Sequence, residues 1–295
     1  TEMIVANAII KGDRKKLLSF KKIQNPVALQ VGGSNESELA EACKISEQYG
    51  YKEINLNLGC PSKKVQKNKF GACLMQEPKL VARCIESMAK ATKLPITIKT
   101  RIGYNEVEDF EFLKSFIQTT KDAGSQKFII HARKALLKKL TPKENLNIPP
   151  LKYDFVYKLK DFFKNDEIII NGGIKTSGDI KNHLKKVDGV MIGRAIYHSP
   201  YFLAEIEREV FGNDNIPTRS EVMEKLIPYI QEETAKGVQL NHIMRHTVGL
   251  FHGQNGSRVW KQYLSKNMCI RDADLQKVNH LMDQIKKTKN ISLER

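Results

Sequence analysis

The strongest constraint on the fold is a repeated alternation between short apolar runs and longer amphipathic segments. Strands that are buried on both faces and alternate with helices predict a parallel α/β sheet. Seven runs read as strands, at residues 3–5, 27–31, 54–58, 96–100, 128–131, 168–171 and 189–192. Helical patterns lie between or after them, at residues 36–49, 78–92, 106–123, 153–163, 177–186 and 201–211.

Polar residues collect at the carboxyl ends of these strands, which favours a (β/α)8 TIM barrel over an open sheet. A complete barrel needs one more strand, and the chain enters its first strand almost at Thr1. We therefore expect that an N-terminal piece carrying the missing first strand precedes this sequence.

The pattern changes after residue 211. The stretch GNDNIPTRSE combines Gly, Asn, Asp and Pro, which is typical of a linker, and only helical patterns follow it. These patterns predict helices at residues 220–236, 240–251, 257–266 and 272–287. The sequence thus predicts two domains, a TIM barrel over residues 1–211 and a small all-α helical domain over residues 212–295.

Composition and cysteine spacing indicate the cellular compartment and the kinds of site to expect. The apolar runs are far shorter than the roughly 20 residues that span a bilayer, so no membrane span is expected. Five cysteines without a C-x-x-C pair indicate a reducing, cytoplasmic setting and argue against a zinc or iron–sulfur site. His242 and His246 stand four apart, but HIMRH lacks the Glu and the third ligand of a zinc motif. We expect no metal, and we expect a monomer.

The chain is strongly basic, with 49 Lys+Arg against 33 Asp+Glu and a formal net charge of +16. This excess predicts a polyanionic partner, although a solvated, lysine-rich surface explains it equally well. Two lysine-rich loops follow strands at the same end of the predicted barrel, which favours binding of an RNA or DNA backbone. Their lysines are Lys63, Lys64, Lys67 and Lys69 in the first loop, and Lys134, Lys138, Lys139 and Lys143 in the second.

Glycines end the last two predicted strands. INGGI contains Asn171, Gly172 and Gly173, and GVMIGR contains Gly193 and Arg194. Each motif alone fits an ordinary tight turn, but on consecutive strands of a barrel the two together favour a phosphate-binding site.

A phosphate-bearing cofactor also needs groups at its reactive ring. Lys99, inside the strand TIKTR, is costly to bury unless a partner accepts its charge, and an electron-rich ring is such a partner. Gln30 and His131 can hydrogen-bond to the same ring, although a single His is more often a satisfied core residue.

The motifs of the chain resemble those of the tRNA-dihydrouridine synthases, and within that family the DusA type. The match runs in order through ALQVGG, EINLNLGCPS, FGACLM, ITIKTRIG, FIIHARKA, LTPKEN with IPPL, INGGI, GVMIGRAIY and GLFHGQNGSRVWKQYL. The resemblance implies an FMN-dependent barrel with a helical tRNA-binding domain. Such an enzyme uses NADPH to reduce uridine to 5,6-dihydrouridine in the D-loop of tRNA, at positions 20 and 20a.

The resemblance also implies roles for individual residues. Cys60 would donate the proton to C5 of uracil while reduced FMN supplies a hydride to C6. The implied FMN-binding positions are Gln30, Lys99, His131, Asn171, Gly172, Gly173, Gly193 and Arg194. The implied tRNA-binding positions are Asn57, Lys143, Arg258 and Lys261. The chain departs from the family in lacking the Pro-Met motif of its first strand, and in having Leu146 where this type usually has Arg.

Two other functions stay open at this point. An FMN barrel could reduce a free small molecule, but such a substrate has no use for the lysine loops and the basic helical tail. A tRNA-binding protein without catalysis is the second alternative, because the family's first strand, which lies against the flavin, has no match here.

Overall fold

The computed structural model describes residues 1–138 and 140–267. Lys139 and the predicted helix at 272–287 lie outside the described residues. The chain divides into two compact units, Thr1–Gly173 with Asn182–Met191, and Ile174–Lys181 with the described residues from Ile192 onward. The predicted domain boundary after residue 211 lies within the second unit and stays a prediction. None of the described helices is long and apolar enough to cross a membrane.

The first unit is built on one sheet of seven strands whose order in space follows their order in the chain. All neighbouring strands are parallel, as in a TIM barrel. The predicted α/β barrel class is confirmed, and the strand bounds lie within one residue of those expected. The eighth strand, expected before Thr1, stays a prediction. The strands are β1 (Ile4–Val5), β2 (Ala28–Gly32), β3 (Glu53–Leu58), β4 (Ile96–Arg101), β5 (Lys127–His131), β6 (Glu167–Asn171) and β7 (Gly189–Met191).

The helices from the start of the chain to Leu184 are α1 (Ala6–Lys11), α2 (Arg14–Leu18), α3 (Glu36–Ser46), α4 (Lys63–Lys67), α5 (Pro78–Ala91), α6 (Phe110–Asp122), α7 (Tyr153–Phe162) and α8 (Ser177–Leu184). Those after β7 are α9 (Arg194–His198), α10 (Phe202–Glu209), α11 (Arg219–Ala235), α12 (Leu240–Met244) and α13 (Ser257–Asn267). Short 3-10 turns occupy Lys22–Gln24, Glu47–Tyr49, Gly71–Gln76, Glu144–Leu146 and Arg245–Thr247.

Amphipathic helices cover the sheet. In α5, which begins with Pro78 at its first position, the buried residues recur at the spacing of one helix face: Val81, Cys84, Ile85 and Met88. Desolvation raises the pKa of the Cys84 thiol to about 11, and that of Cys43 in α3 to about 12. These two cysteines are therefore inert core residues.

Two helix predictions were wrong in their bounds by four residues or more, and four short helices were not predicted. The helix expected from 106 begins at Phe110, because Asp109 caps it and Asn105 adopts a left-handed conformation with φ of 46°. The helix expected over 240–251 ends at Met244 and continues as a 3-10 turn. The four helices without a predicted counterpart are α1, α2, α4 and α9.

The second unit has a hydrophobic core of its own around Trp260, which is fully buried. The Trp260 Nε1 donates a hydrogen bond to the carbonyl of Thr247 at 3.0 Å, and its ring meets the edge of Phe251 at 5.0 Å between centroids. The other buried members of this core are Met223, Ile230, Leu240, Met244, Leu250 and Leu264. This core supports α13, which carries Arg258 and Lys261.

Candidate active site

The candidate site lies in the first unit, at the carboxyl ends of β2 to β6. The register pairs Asn57 with Lys99, and it places Arg101, His131 and Asn171 in one row across three strands. Directly paired residues of neighbouring parallel strands point to the same face of a sheet. The predicted site residues of the first unit are therefore gathered at the end of the barrel where enzymes of this fold carry their chemistry.

A chain of side-chain amides crosses β2, β3 and β4. Asn57 Nδ2 donates to Gln30 Oε1 at 2.7 Å, and Gln30 Nε2 donates to Asn55 Oδ1 at 3.0 Å. Asn55 Nδ2 in turn donates to Thr97 Oγ1 at 2.9 Å. Both ends of the Gln30 amide are held, so its orientation is fixed. The sequence analysis missed Asn55, although its spacing of two from Asn57 in INLNL predicts the same strand face.

Cys60 lies in the loop that follows β3, and its side chain is neither fully buried nor fully exposed. Asn57 Oδ1 accepts hydrogen bonds from the backbone N–H of Gly59 at 3.2 Å and of Cys60 at 3.0 Å. The Cys60 carbonyl accepts from the N–H of Ala72 at 2.9 Å. Gly71 adopts φ of 76°, and a Cβ there would lie 2.6 Å from the Cys60 carbonyl oxygen. The backbone on both sides of the thiol is therefore held in place.

Among the described residues, Lys99 binds a side-chain amide and forms no ion pair with a carboxylate. Its Nζ donates to Asn171 Oδ1 at 3.1 Å, and Asn171 Nδ2 donates to the carbonyl of Met191 at 2.8 Å. Desolvation, together with the positive charge of Arg101, lowers the pKa of the Lys99 ammonium to about 8. In the described part of the chain, Asn171 is the one hydrogen-bond partner of this ammonium group. The site thus holds a cation that a negatively polarised ligand would stabilise.

The two glycines after β6 bring the backbone against His131. Gly172 and Gly173 have φ of 114° and 72°, which side chains other than Gly rarely adopt. A Cβ at Gly172 would lie 2.9 Å from His131 Cδ2, and one at Gly173 would lie 2.5 Å from Leu151 Cδ1. Both glycines are therefore required by the turn itself, as the ordinary-turn interpretation predicts.

Gly193 and Arg194 belong to the second unit. Gly193 precedes the first residue of α9, with φ of −110°, and a Cβ there would meet no atom within 4 Å. Arg194 is exposed. Open space beside the Gly193 backbone fits a residue that a ligand approaches, whereas the turn alone does not require Gly.

Exposed basic residues lie in the segments that follow β3 and β5 in the first unit. Lys63 and Lys67 belong to α4, whose first N–H groups are capped by Ser62, and both side chains are exposed. Lys143 is exposed at the start of a 3-10 turn. Lys134 differs from these, because its Nζ forms an ion pair with Glu108 Oε2 at 3.1 Å.

In the second unit, Arg258 and Lys261 lie three residues apart on α13 and are exposed. They line a shallow cavity of about 610 Å³ together with the turn at 253–256. His246, one of the two histidines considered as metal ligands, instead has its Nδ1 3.3 Å from the hydroxyl of Tyr197. No group of three or more His, Cys, Asp or Glu side chains in the described ranges is placed to hold a metal ion.

A parallel barrel with amide, thiol and ammonium groups at the carboxyl ends of its strands has the architecture of a barrel enzyme. The chain belongs to the Dihydrouridine synthase (Dus) family, whose sequence model matches residues 1–288. It is similar to the tRNA-dihydrouridine(20/20a) synthase of Synechocystis sp., with 47% identity over 274 residues, or 92% of this chain and 82% of that protein.

Two further relatives carry the same description. The protein from Vibrio parahaemolyticus is 45% identical over 293 residues, which are 99% of this chain and 90% of the relative. The protein from Yersinia pestis is 48% identical over 270 residues, which are 90% of this chain and 78% of the relative. The predictions of family and of an enzyme are confirmed.

The residues at the barrel mouth fit the FMN that the family resemblance implies. The Lys99 ammonium has donors left after its bond to Asn171, and a flavin ring offers the electron-rich positions that such donors need. The Gln30 amide, held at a fixed orientation, lies on β2, and the His131 ring lies on β5, the strand next to β4. The donor set is thus suited to a polar ring system rather than to a metal.

Proposed function

We propose that this protein is an FMN-dependent tRNA-dihydrouridine synthase that uses NADPH to reduce uridine to 5,6-dihydrouridine in the D-loop of tRNA, at positions 20 and 20a. The names of its relatives support the substrate. The observation that carries the proposal is the Cys60 loop. It presents a partly exposed thiol beside the polar chain of Gln30 and Asn57, with its backbone held by Asn57.

FMN would be held by Gln30, Lys99, His131 and Asn171 to Gly173 in the first unit, with Gly193 and Arg194 of the second unit as further proposed positions. When bound and reduced by NADPH, FMN supplies the hydride that reaches C6 of uracil. The Lys99 ammonium would bind a negatively polarised edge of the ring, and the Gln30 amide would orient it.

The protein's own chemical step is proton delivery. Cys60 acts as the general acid: the S–H bond breaks, the proton is transferred to C5, and the electron pair stays on sulfur as a thiolate. The partial exposure of Cys60 allows the thiolate to recover a proton from solvent between turnovers. Asn57, proposed as an RNA contact, also fixes the loop, because its Oδ1 accepts from the Gly59 and Cys60 N–H groups.

The target base must leave the tRNA fold before it can reach Cys60, at a cost of a few kcal/mol. Contacts between lysine or arginine side chains and phosphates can offset this cost. We propose that Lys143 and the exposed lysines of α4 bind tRNA phosphates from the first unit, and that Arg258 and Lys261 do so from the second.

The proposal is tested with the FMN-loaded protein, NADPH, and tRNA from cells that lack the gene. Mass spectrometry is expected to find new dihydrouridine in D-loop fragments, and NADPH oxidation is expected to depend on tRNA and not on free uracil. Faster turnover of free uracil would favour the small-molecule enzyme. A colourless protein that binds tRNA without oxidising NADPH would favour the non-catalytic alternative.

Arg258→Ala is expected to weaken tRNA binding, because an exposed guanidinium on α13 would lose a phosphate contact. The slope of log affinity against log salt concentration should fall by about 1. Flavin content should not change. The dissociation constant is measured by fluorescence anisotropy with labelled tRNA over a range of salt concentrations.

Arg83→Ala is the matched control for this experiment. Arg83 is also an exposed helical arginine, but its Nε is 2.7 Å from Glu36 Oε1 on the outer helices of the first unit. Its loss should leave the salt slope unchanged. A slope that falls equally in both variants would assign the effect to net charge and contradict a specific contact at Arg258.

A further inference from the structure

Arg101, the last residue of β4, is buried, with only 2% of its surface exposed. Its guanidinium joins two loops, the one after β3 and the one after β5, by three hydrogen bonds to backbone carbonyls. Nε donates to Gly59 at 2.9 Å, and Nη1 donates to Lys134 at 3.0 Å and to Asn145 at 3.1 Å. Gly59 directly precedes Cys60, so one of these bonds acts on the loop that carries the proposed acid.

In the described chain, the Arg101 guanidinium has no carboxylate as an ion-pair partner. Within the described chain, its hydrogen bonds go to backbone carbonyls alone. Desolvation lowers the pKa of Arg101 to about 10, and a Cys60 thiolate acts in the opposite direction. The side chain therefore stays protonated at neutral pH. Burying such a cation is costly, and three carbonyls offset only part of the cost.

Asn145 continues the network into the long loop after β5. Its side chain is completely buried, and its Oδ1 accepts from the N–H of Leu136 at 2.7 Å. Its Nδ2 donates to the carbonyls of Leu136, Leu140 and Thr141 at 3.1 to 3.2 Å. The loop that carries Lys143 is thus folded around Asn145, and the Asn145 carbonyl is in turn held by Arg101.

We propose that Arg101 is a positioning residue for the proton donor: its guanidinium ties the backbone before Cys60 to the folded loop around Asn145, which sets the place of the thiol relative to the bound base. This inference rests on the proposed function, because it takes Cys60 as the acid. It predicts that Arg101 acts on the tRNA step of the reaction and not on the reduction of flavin.

The planar fork of arginine explains why this residue stands at the end of β4. Nε and Nη1 point in different directions from one rigid plane, so a single side chain can reach Gly59 on one side and two carbonyls on the other. A lysine has one ammonium group on a flexible stem and cannot hold both sides in the same geometry. Lysine should therefore restore charge but only part of the positioning.

The test compares Arg101→Met and Arg101→Lys in the FMN-loaded protein by stopped-flow absorbance. Reoxidation of the reduced flavin by tRNA should slow by about 10-fold to 100-fold in Arg101→Met, the cost of misplacing a reacting group. Arg101→Lys should show an intermediate rate. Reduction of the flavin by NADPH should stay unchanged in both.

Amide hydrogen exchange gives a second measurement that does not depend on activity. Peptides that cover residues 58–62 and 132–147 should exchange faster in both variants, with Arg101→Lys less affected. If Arg101→Met does not fold, the lysine variant carries the test alone.

Lys160→Met is the matched control, because Lys160 also binds two backbone carbonyls, of Lys164 at 2.8 Å and of Asp166 at 3.0 Å, next to the opposite end of the strands. It should leave the tRNA step unchanged.

An unchanged tRNA step in Arg101→Met would overturn the inference. Equal slowing of both half-reactions, with faster exchange throughout the barrel, would also overturn it. Activity that survives Cys60→Ala would instead contradict the assignment of Cys60 as the acid. Failure of tRNA to reoxidise the reduced flavin of the wild-type protein would contradict the proposed function. In either case, hydrogen exchange would still decide whether Arg101 holds the two loops together.

Discussion

Cys60→Ala is expected to abolish dihydrouridine formation while leaving the tRNA affinity and the flavin content nearly intact. Removal of a general acid costs about 10²-fold to 10⁴-fold in rate. The backbone bonds that hold this loop come from Asn57 and Ala72 and do not involve the thiol, so the loop should keep its structure. Dihydrouridine is measured by mass spectrometry of tRNA digests after incubation with NADPH.

Cys73→Ala is the control for this change. Cys73 is a second partly buried cysteine nearby in the chain, but its thiol donates to the carbonyl of Phe70 at 3.1 Å and packs beside Ala72. Desolvation raises the pKa of its thiol, as expected for a packing residue. The Cys73 variant should retain its activity. Equal losses of activity and tRNA affinity in the Cys60 variant would show that the thiol supports the loop and is not the acid.

Lys99→Met is expected to remove bound FMN and, at the same time, to stabilise the FMN-free protein. Loss of a desolvated cation that faces the ligand should weaken FMN binding by about 100-fold or more. Without FMN, the same ammonium group has Asn171 as its one partner in the described chain and is held in an environment that disfavours its charge. Methionine of similar length should therefore raise the free energy of unfolding by about 2 kcal/mol, allowing for partial exposure.

The pH dependence gives an independent check on Lys99. Its pKa is about 8 in the folded protein and near the ordinary 10.5 in the unfolded chain. Between these values the unfolded chain binds more protons than the folded one, so the FMN-free protein should become more stable as the pH rises. Below about pH 8 the penalty is complete. Lys99→Met should lack this contribution, as measured by urea unfolding of both proteins across this range.

Lys127→Met should change the stability of the protein in the opposite direction. Lys127 lies at the start of β5, and its ammonium is 2.8 Å from Glu53 and 3.3 Å from Glu167. Its removal leaves these carboxylates without their cation, so the variant should be less stable and should keep its FMN. A Lys99 variant that loses stability in the same way would contradict the view that the site keeps an uncompensated cation for a ligand.

Much of the fold could be predicted from the sequence, because the burial of a strand or helix requires apolar residues at regular positions along the chain. Apolar and polar residues alternate throughout EINLNL, and ITIKTR begins with the same alternation at Ile96 and Ile98. These runs became β3 and β4 within one residue of the predicted bounds. The helices α1 and α2 have only six and five residues, so they are too short to show a clear helical pattern of apolar residues. The start of α6 was misjudged because Asn105 takes a left-handed conformation that its residue type permits but does not require.

The candidate site was only partly predictable for a related reason. Strand ends and the resemblance of the motifs pointed to Cys60, Lys99 and His131, because those positions follow from local sequence. Asn145 could not be found in this way, since its role depends on the carbonyls of Leu136, Leu140 and Thr141, which the loop brings around it. A buried amide of this kind is indistinguishable in sequence from an ordinary loop Asn.

The sequence by itself determined the class of the fold, the membership of the Dus family and the placing of a cysteine after a strand, because hydrophobic periodicity and ordered motifs are properties of the linear chain. Only the tertiary structure decided which groups meet. Among the described residues, Asn57 holds the Cys60 backbone, Lys99 pairs with no carboxylate, and Arg101 joins two loops. Hydrogen bonds and desolvation depend on distances between residues far apart in the chain, and folding alone sets those distances.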